Sequence, residues 1–372
     1  MSGTNPQITI IGGSLAGLTV ALACAARGVA VHVIERSARR VHGGDSLTVD
    51  LDALAATVGH SPRAHPILPV VPAYRPLTTW SALYSWLYDR AAVAPGITLE
   101  QGKTVASVTD LGDRVQLFFT DGTERIVDAV IGADGYHSLV RRAIAPDAPL
   151  ARYAGYVVWR GIVEEQDLSR SVHWPTDGGL WIEFVGGYRL VAATLPGRDG
   201  SVKVGRRQIT FAWFDVHQDE LLRRTNCLTP EGYIVGTLAR GTIEESVRDD
   251  LIARIPALWP ETWAEAVALG VRSNAALSGA PIAEYKPERL ARGSLAIAGD
   301  AAHAVSPMTG RGYATGVEDA AVLAQLLADR AANEPIAETL ARYESVRLPY
   351  VRSLVTHSRR ISADFLRYAS TA

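Results

Sequence analysis

Apolar positions follow two periods along this chain, and the change of period separates its parts. Ile8 to Ile11 is a short β-branched run that is apolar or Thr at every position, the pattern of a strand buried on both faces. Glycines stand at 12, 13 and 17, and Leu15 to Arg27 is an Ala/Leu-rich helical segment ended by Gly28. Val29 to Ile34 is a second strand, so the opening predicts a βαβ unit. From Arg114 the period becomes two. Val115 to Thr120 predicts a strand, Asp121-Gly122 a hairpin turn, and Glu124 to Ile131 the return strand. Further on, "YVVWRGIVEE", "GLWIEFVGGYRLVAATLPG" and "RQITFAWFDV" alternate like long antiparallel strands, with Gly186-Gly187 as a hairpin turn. From Pro335 to the end the period is helical, with a break or kink expected at Pro349.

A chain of 372 residues exceeds one small core and suggests two domains or a split domain with an insertion. Its composition, 48% hydrophobic with few charge runs, is that of a folded globular protein. A net charge of −2 provides no basic field for nucleic acid or anionic lipid. Cys24 and Cys227 are far apart and form neither a disulfide framework nor a zinc pattern, so no metal is expected. The apolar run Leu15 to Ala26 is shorter than the ~20 residues of a membrane span and lacks signal-peptide flanks. A soluble, cytoplasmic protein is expected.

The chemistry begins in the first turn. Gly12 and Gly17 occupy the outer positions of a G-x-G-x-x-G fingerprint, around Gly13, Ser14, Leu15 and Ala16. Ser14 replaces the middle glycine, and its hydroxyl can donate to a phosphate oxygen. Glu35 follows about 20 residues on, where a carboxylate accepts from a ribose hydroxyl, which favours FAD or NAD over NADP. In "IGADGYHSLVR", glycines flank Asp134, and Ser138 and Arg141 stand at helical spacing. This is either a helix N-terminus facing an anion or a β-to-α turn with a capping aspartate. "AIAGDAAHAVSPMTGRG" also has two readings. Asp300 and His303 form the D-x-x-H pair of a serine esterase, and Gly44-Asp45-Ser46-Leu47 spells the nucleophile block of the GDSL hydrolases. Against that, Ser46 comes one strand too late, and the G-x-N-D block that supplies an oxyanion-hole asparagine is missing. The other reading is a strand-to-helix crossing that cradles a flavin.

Three blocks, "IIGGSLAG…ER", "IGADGYHSLVR" and "AGDAAHAVSPMTGRGYATGVEDA", stand in order at wide spacing. Together they resemble the FAD-dependent aromatic hydroxylases, the single-component flavoprotein monooxygenases. "RYESVRLPYV", with Glu344 and Arg347, resembles that family's C-terminal helix, and "YAGYVVWRGIVEE" its dihydroxypyridine and salicylate hydroxylase branch. The resemblance implies an α/β Rossmann-type FAD-binding domain with an inserted antiparallel substrate sheet and C-terminal helices. On it, residues 1–152 and 275–330 form the FAD domain, 153–274 the sheet domain and 331–372 a helical tail. The FAD contacts it implies are Gly12, Gly13, Ser14, Leu15, Ala16, Gly17, Glu35, Arg36, Val105, Asp134, Gly299, Asp300, Pro307, Gly310, Arg311 and Gly312. Asp300 would hold a ribityl hydroxyl, Pro307 would stack at the flavin edge, and His303 would be structural. Three positions depart from the family: Ser14 for glycine, Trp80 where an arginine usually contacts FAD, and Ser46 where a glycine often lies beside the ring.

The resemblance implies hydroxylation of an aromatic or heteroaromatic compound, with NADH or NADPH as transient reductant and O2 as oxidant, by way of a flavin C4a-hydroperoxide. An epoxidase, a Baeyer–Villiger enzyme or a reductase on the same fold is the alternative. Trp159, Trp174, Trp181, Tyr188, Phe211 and Trp213 suit a flat apolar substrate, although aromatics on strands usually pack a core. Candidates for a base are His173, His217 and Tyr188. Arg160 either orients an anionic substrate group or pairs within the sheet. The chain is expected to be a monomer or homodimer.

Overall fold

The computed structural model describes residues 7–38, 45–61 and 67–372. Its first layer is a six-stranded sheet in the order Ala291–Arg292, Leu295–Ile297, Ala129–Gly132, Ile8–Ile11, Val31–Glu35, Ile97–Gln101. All neighbours are parallel except the edge pair Ala291–Arg292 and Leu295–Ile297. Ile8–Ile11 and Ala129–Gly132 are buried throughout, as apolar runs without alternation require. Helices Leu15–Ala25 and Gly312–Ala328 pack side by side over the sheet, joined where Thr19 Oγ1 meets the Tyr313 hydroxyl at 3.1 Å.

The return strand expected over 124–131 is two strands. Glu124–Val127 closes a three-stranded sheet with Val105–Asp110 and Val115–Phe119, and Ala129–Gly132 enters the central sheet. The chain changes sheets at Asp128, whose carboxylate accepts the Gln7 N–H at 2.7 Å. The first half keeps an exposed face and the second is buried on both, so one period cannot describe both halves.

The second layer is a five-stranded antiparallel sheet in the order Trp181–Val185, Tyr188–Leu195, Gln208–Asp215, Arg152–Glu164, Ser278–Glu284. Gly186 and Gly187, at φ +51° and +83°, supply the two left-handed residues of the tight hairpin. The fifth strand lies beyond residue 274, where the sequence pattern ended the sheet, because "SGAPIAE" carries a glycine and a proline that weaken its alternation. One face of this sheet, with Trp159, Leu190, Phe211 and Trp213, is covered by helices Glu245–Leu258 and Glu261–Arg272 through Trp259 and Trp263.

The C-terminal helix Ile336–Thr371 runs through Pro349 without the expected break. Proline removes one backbone bond, and buried side chains on both sides hold the turn, among them Tyr343, Val351 and Val355. This helix ties the layers together. The Tyr343 hydroxyl donates to the Ile297 carbonyl at 2.9 Å, and Phe365 packs on Tyr156 and Phe214 of the second sheet. Among the described residues no helix is long and apolar enough to cross a membrane.

Candidate active site

The first βα turn is built without side chains where backbones meet. A Cβ on Gly12, at φ +105°, would lie 2.4 Å from the Ala133 carbonyl oxygen, and one on Gly17 would lie 1.8 Å from that of Gly12. Ser14 caps the following helix without a side-chain hydrogen bond, so the N–H groups of Leu15, Ala16 and Gly17 have no capping side chain. Such a terminus attracts an anion. Glu35 accepts from the N–H of Gly13 and of Ser37, each at 2.8 Å, and so fixes this turn. Arg36 beside it is exposed, and Val105 is half-buried against the central core.

Asp134 takes the capping role of the two open to it. Its Oδ2 accepts the Leu139 N–H at 2.7 Å, and the Ser138 hydroxyl accepts the Arg141 N–H at 2.9 Å. The N-terminus of the short helix Leu139–Ile144 is thereby occupied. Asp134 Oδ1 is buried without a partner, and burial pushes this carboxyl up despite the hydrogen bonds it accepts. Arg141 is turned inward, donating to the carbonyls of Pro149, Ala301 and Tyr136.

The stretch 296–312 closes on this turn from the other side. Gly299, at φ +60°, lies so near the first helix that a Cβ there would sit 2.7 Å from Ala16 Cβ. Among the described residues the Asp300 carboxylate accepts no hydrogen bond. Its side chain reaches solvent, yet the protein packed around it desolvates the carboxyl and raises it above the ordinary range, against the pull of His303 and Arg141. Pro307 is exposed on the short turn Pro307–Thr309, and Gly310 is left-handed at φ +59°. Gly312 opens the next helix with no side-chain cap, and a Cβ on it would meet nothing within 4 Å. Arg311 turns its guanidinium away, to Glu318 at 2.6 Å and the Tyr350 hydroxyl at 2.8 Å. Two uncapped helix N-termini therefore flank a carboxylate that has no internal partner.

The esterase reading does not survive this geometry. His303 Nε2 lies 2.6 Å from Asp319, not Asp300, and both side chains are inaccessible to solvent. Asp45 pairs with Arg160 at 2.8 Å and Arg240 at 3.2 Å, and Ser46 accepts from the Thr210 hydroxyl at 3.4 Å. Gly44 lies outside the described residues.

Strand alternation decides which sheet residues face the cleft. Tyr188 packs edge-on against Trp213 at 5.7 Å on the helix-covered face, and its hydroxyl accepts from Arg254 at 2.9 Å. His217 is exposed beside it, at 6.2 Å from the Tyr188 ring, and His173 is exposed by the helix Glu261–Arg272. None of the three borders the flavin-cradle segments. The six aromatics named from the sequence also belong to the core under the helices. The opposite face carries Arg160, Thr210, Ala212 and Val191. Leu77 packs on it at Ala193 and Leu195, and Met308 near Val158 and Val191. Arg160 pairs across to Asp45 rather than within the sheet. The sequence reading missed Thr210 and Ala212, which follow from placing Phe211 and Trp213 inside. It also missed Asp319 and Arg75, whose guanidinium lies so near Gly310 that a Cβ there would be 2.7 Å away, and it read Asp45 only as part of the Gly44-Asp45-Ser46-Leu47 block.

Residues 242–358 match a family model described as an FAD binding domain, and 153–256 one described as FAD binding domain-like. A 3-amino-4-hydroxybenzoate 2-monooxygenase of Streptomyces cremeus is 30% identical over 96% of this chain and 87% of its own length. The chain belongs to the FAD-dependent aromatic monooxygenases. An FAD-dependent urate hydroxylase of Klebsiella oxytoca is 31% identical over 70% of the chain and 58% of that enzyme. The solved 2,6-dihydroxypyridine-3-hydroxylase from Arthrobacter nicotinovorans shares the fold, at TM-score 0.78 and 22% identity over 98% of this chain and 93% of that one. This monooxygenase binds FAD, and its own residues fit that group. The glycine turn has no room for a Cβ, the first helix is uncapped, Asp300 lacks an internal partner, and space is open above Gly312.

Proposed function

We propose that this monooxygenase uses NADH or NADPH and O2 to hydroxylate a small aromatic or heteroaromatic compound that carries an anionic oxygen. The observation behind this reading is the cleft itself. Asp300 lies between two uncapped helix N-termini, and the sheet face on which Met308 and Leu77 pack carries the small and polar side chains Thr210, Ala212 and Val191, with Arg160 at its border. The N-terminus at Leu15–Gly17 would hold the pyrophosphate, Asp300 a ribityl hydroxyl, and the N–H groups at Gly312 the pyrimidine edge of the ring. Bound FAD supplies two-electron reduction by the nicotinamide and activation of O2. The protein's part is orientation, charge and exclusion of water. The helix N-terminus at Gly312 favours negative charge on its ligand. Arg160, held by Asp45 at 2.8 Å and paired across the strands with Ala212, would orient an anionic substrate oxygen on that face.

Anaerobic addition of NADH or NADPH to the yellow protein, with and without single phenols, hydroxybenzoates or hydroxypyridines, tests this. Flavin bleaching that one compound accelerates, followed by its hydroxylation in air, supports the reading. Reduction that no ring compound alters, with no oxygenated product, refutes it.

A further inference from the structure

We propose that Arg347 of the C-terminal helix is a positioning residue that clamps both cofactor-facing segments into register through an alternating ladder of charges. The inference rests on FAD occupying the cleft as assigned above. Arg347 is 8% exposed, and its Nε donates to Asp319 Oδ1 at 2.8 Å. The other oxygen of Asp319 accepts the Gly299 N–H at 3.0 Å and meets His303 Nε2 at 2.6 Å. This arm holds the left-handed turn that presents Asp300. Arg347 Nη2 reaches Glu318 Oε2 at 3.1 Å, and Glu318 Oε1 holds Arg311 at 2.6 Å. That arm holds the residue before Gly312, at the second uncapped N-terminus.

Asp319, Arg347, Glu318 and Arg311 thus alternate in charge between the two cradle segments, with the His303 imidazole on the far oxygen of Asp319. Burial pushes the Asp319 carboxyl up, but His303 and Arg347 hold it below its ordinary value, so it is a firm acceptor for the Gly299 N–H. The guanidinium addresses Asp319 through Nε and Glu318 and the Thr315 carbonyl through Nη2, two nitrogens held apart in one plane, an arrangement that the single nitrogen of an ammonium does not reproduce.

The test strips FAD from wild type, Arg347→Lys and Glu318→Gln, melts each apoprotein, titrates FAD back by fluorescence, and measures the flavin midpoint potential. Tyr343→Phe, which removes a bond from the same helix to the sheet, is the structural control. Arg347→Lys should weaken FAD binding by about tenfold or more, the scale of a lost charge-assisted contact. Glu318→Gln should melt with wild type yet make the potential more negative, because the N-terminus at Gly312 is no longer held in register. FAD affinity within about twofold of wild type at unchanged potential in both variants overturns the inference, as does an equal loss of affinity in Tyr343→Phe. Should Arg347→Lys fail to fold, Glu318→Gln alone decides in the same terms. A wild-type apoprotein that takes up no FAD refutes the cofactor assignment itself.

Discussion

Asp300 carries opposite consequences for the empty and the loaded protein, and Asp300→Ala separates them. The carboxylate accepts no hydrogen bond from the described residues, and desolvation raises it above its ordinary value. A carboxyl whose folded value exceeds its unfolded value keeps more protons in the fold. Stability therefore falls as pH rises between the two values, and at neutral pH the ionised group opposes folding. Asp300→Ala should leave the melting temperature of the apoprotein unchanged or raised at pH 7, with the difference vanishing towards acid pH. Loss of a charged hydrogen bond to a ribityl hydroxyl costs about 1.5–3 kcal/mol. At about 1.4 kcal/mol per factor of ten, FAD should bind roughly ten- to a hundredfold more weakly. Asp300→Asn keeps an acceptor and should fall between. Apoprotein melts and FAD titration by flavin fluorescence read the two effects separately. An apoprotein that loses more than about 1.5 °C, roughly 1 kcal/mol in a chain of this size, or an FAD affinity that does not change, refutes the reasoning.

Further substitutions test the placement of other groups. Gly17→Ala puts a methyl 1.8 Å from the Gly12 carbonyl oxygen and should cost at least about 1–3 kcal/mol, read as a lower melting temperature and loss of bound flavin. Tyr188→Phe and His217→Gln should leave kcat and KM within about twofold of wild type, and a larger fall in kcat would return one of them to the chemistry. Arg207→Met strands the fully buried Glu165 carboxylate and should cost about 3–5 kcal/mol by denaturant melts, with Glu165→Gln added to it recovering part. Burial pushes Glu165 up, but Arg207 and the Gly205 N–H bring it below its ordinary value. The stability it contributes is therefore present at neutral pH and lost as pH falls through its folded value, a loss that Arg207→Met should remove from the pH profile.

Local chain chemistry was legible in the order of the residues. The runs Ile8–Ile11 and Val115–Phe119, the glycines of the first turn, the Gly186-Gly187 hairpin and the 296–312 crossing depend on backbone sterics and short-range period, which a sequence states directly. The FAD-dependent family was legible for the same reason, since its three blocks are set by glycines and short-range spacing. Tertiary structure alone decided which of two locally equal options was taken. Asp134 became a cap because Leu139 and Ser138 folded back on it. The segment 124–132 divided between two sheets because its halves met different neighbours. The sheet aromatics went to the helix-covered face because two amphipathic helices, unmarked by any motif, packed there. His303 found Asp319, sixteen positions away, in place of Asp300, three positions away. Burial, charge pairing and the side of a strand that meets a neighbour are long-range quantities, and no spacing of letters encodes them until the elements have packed.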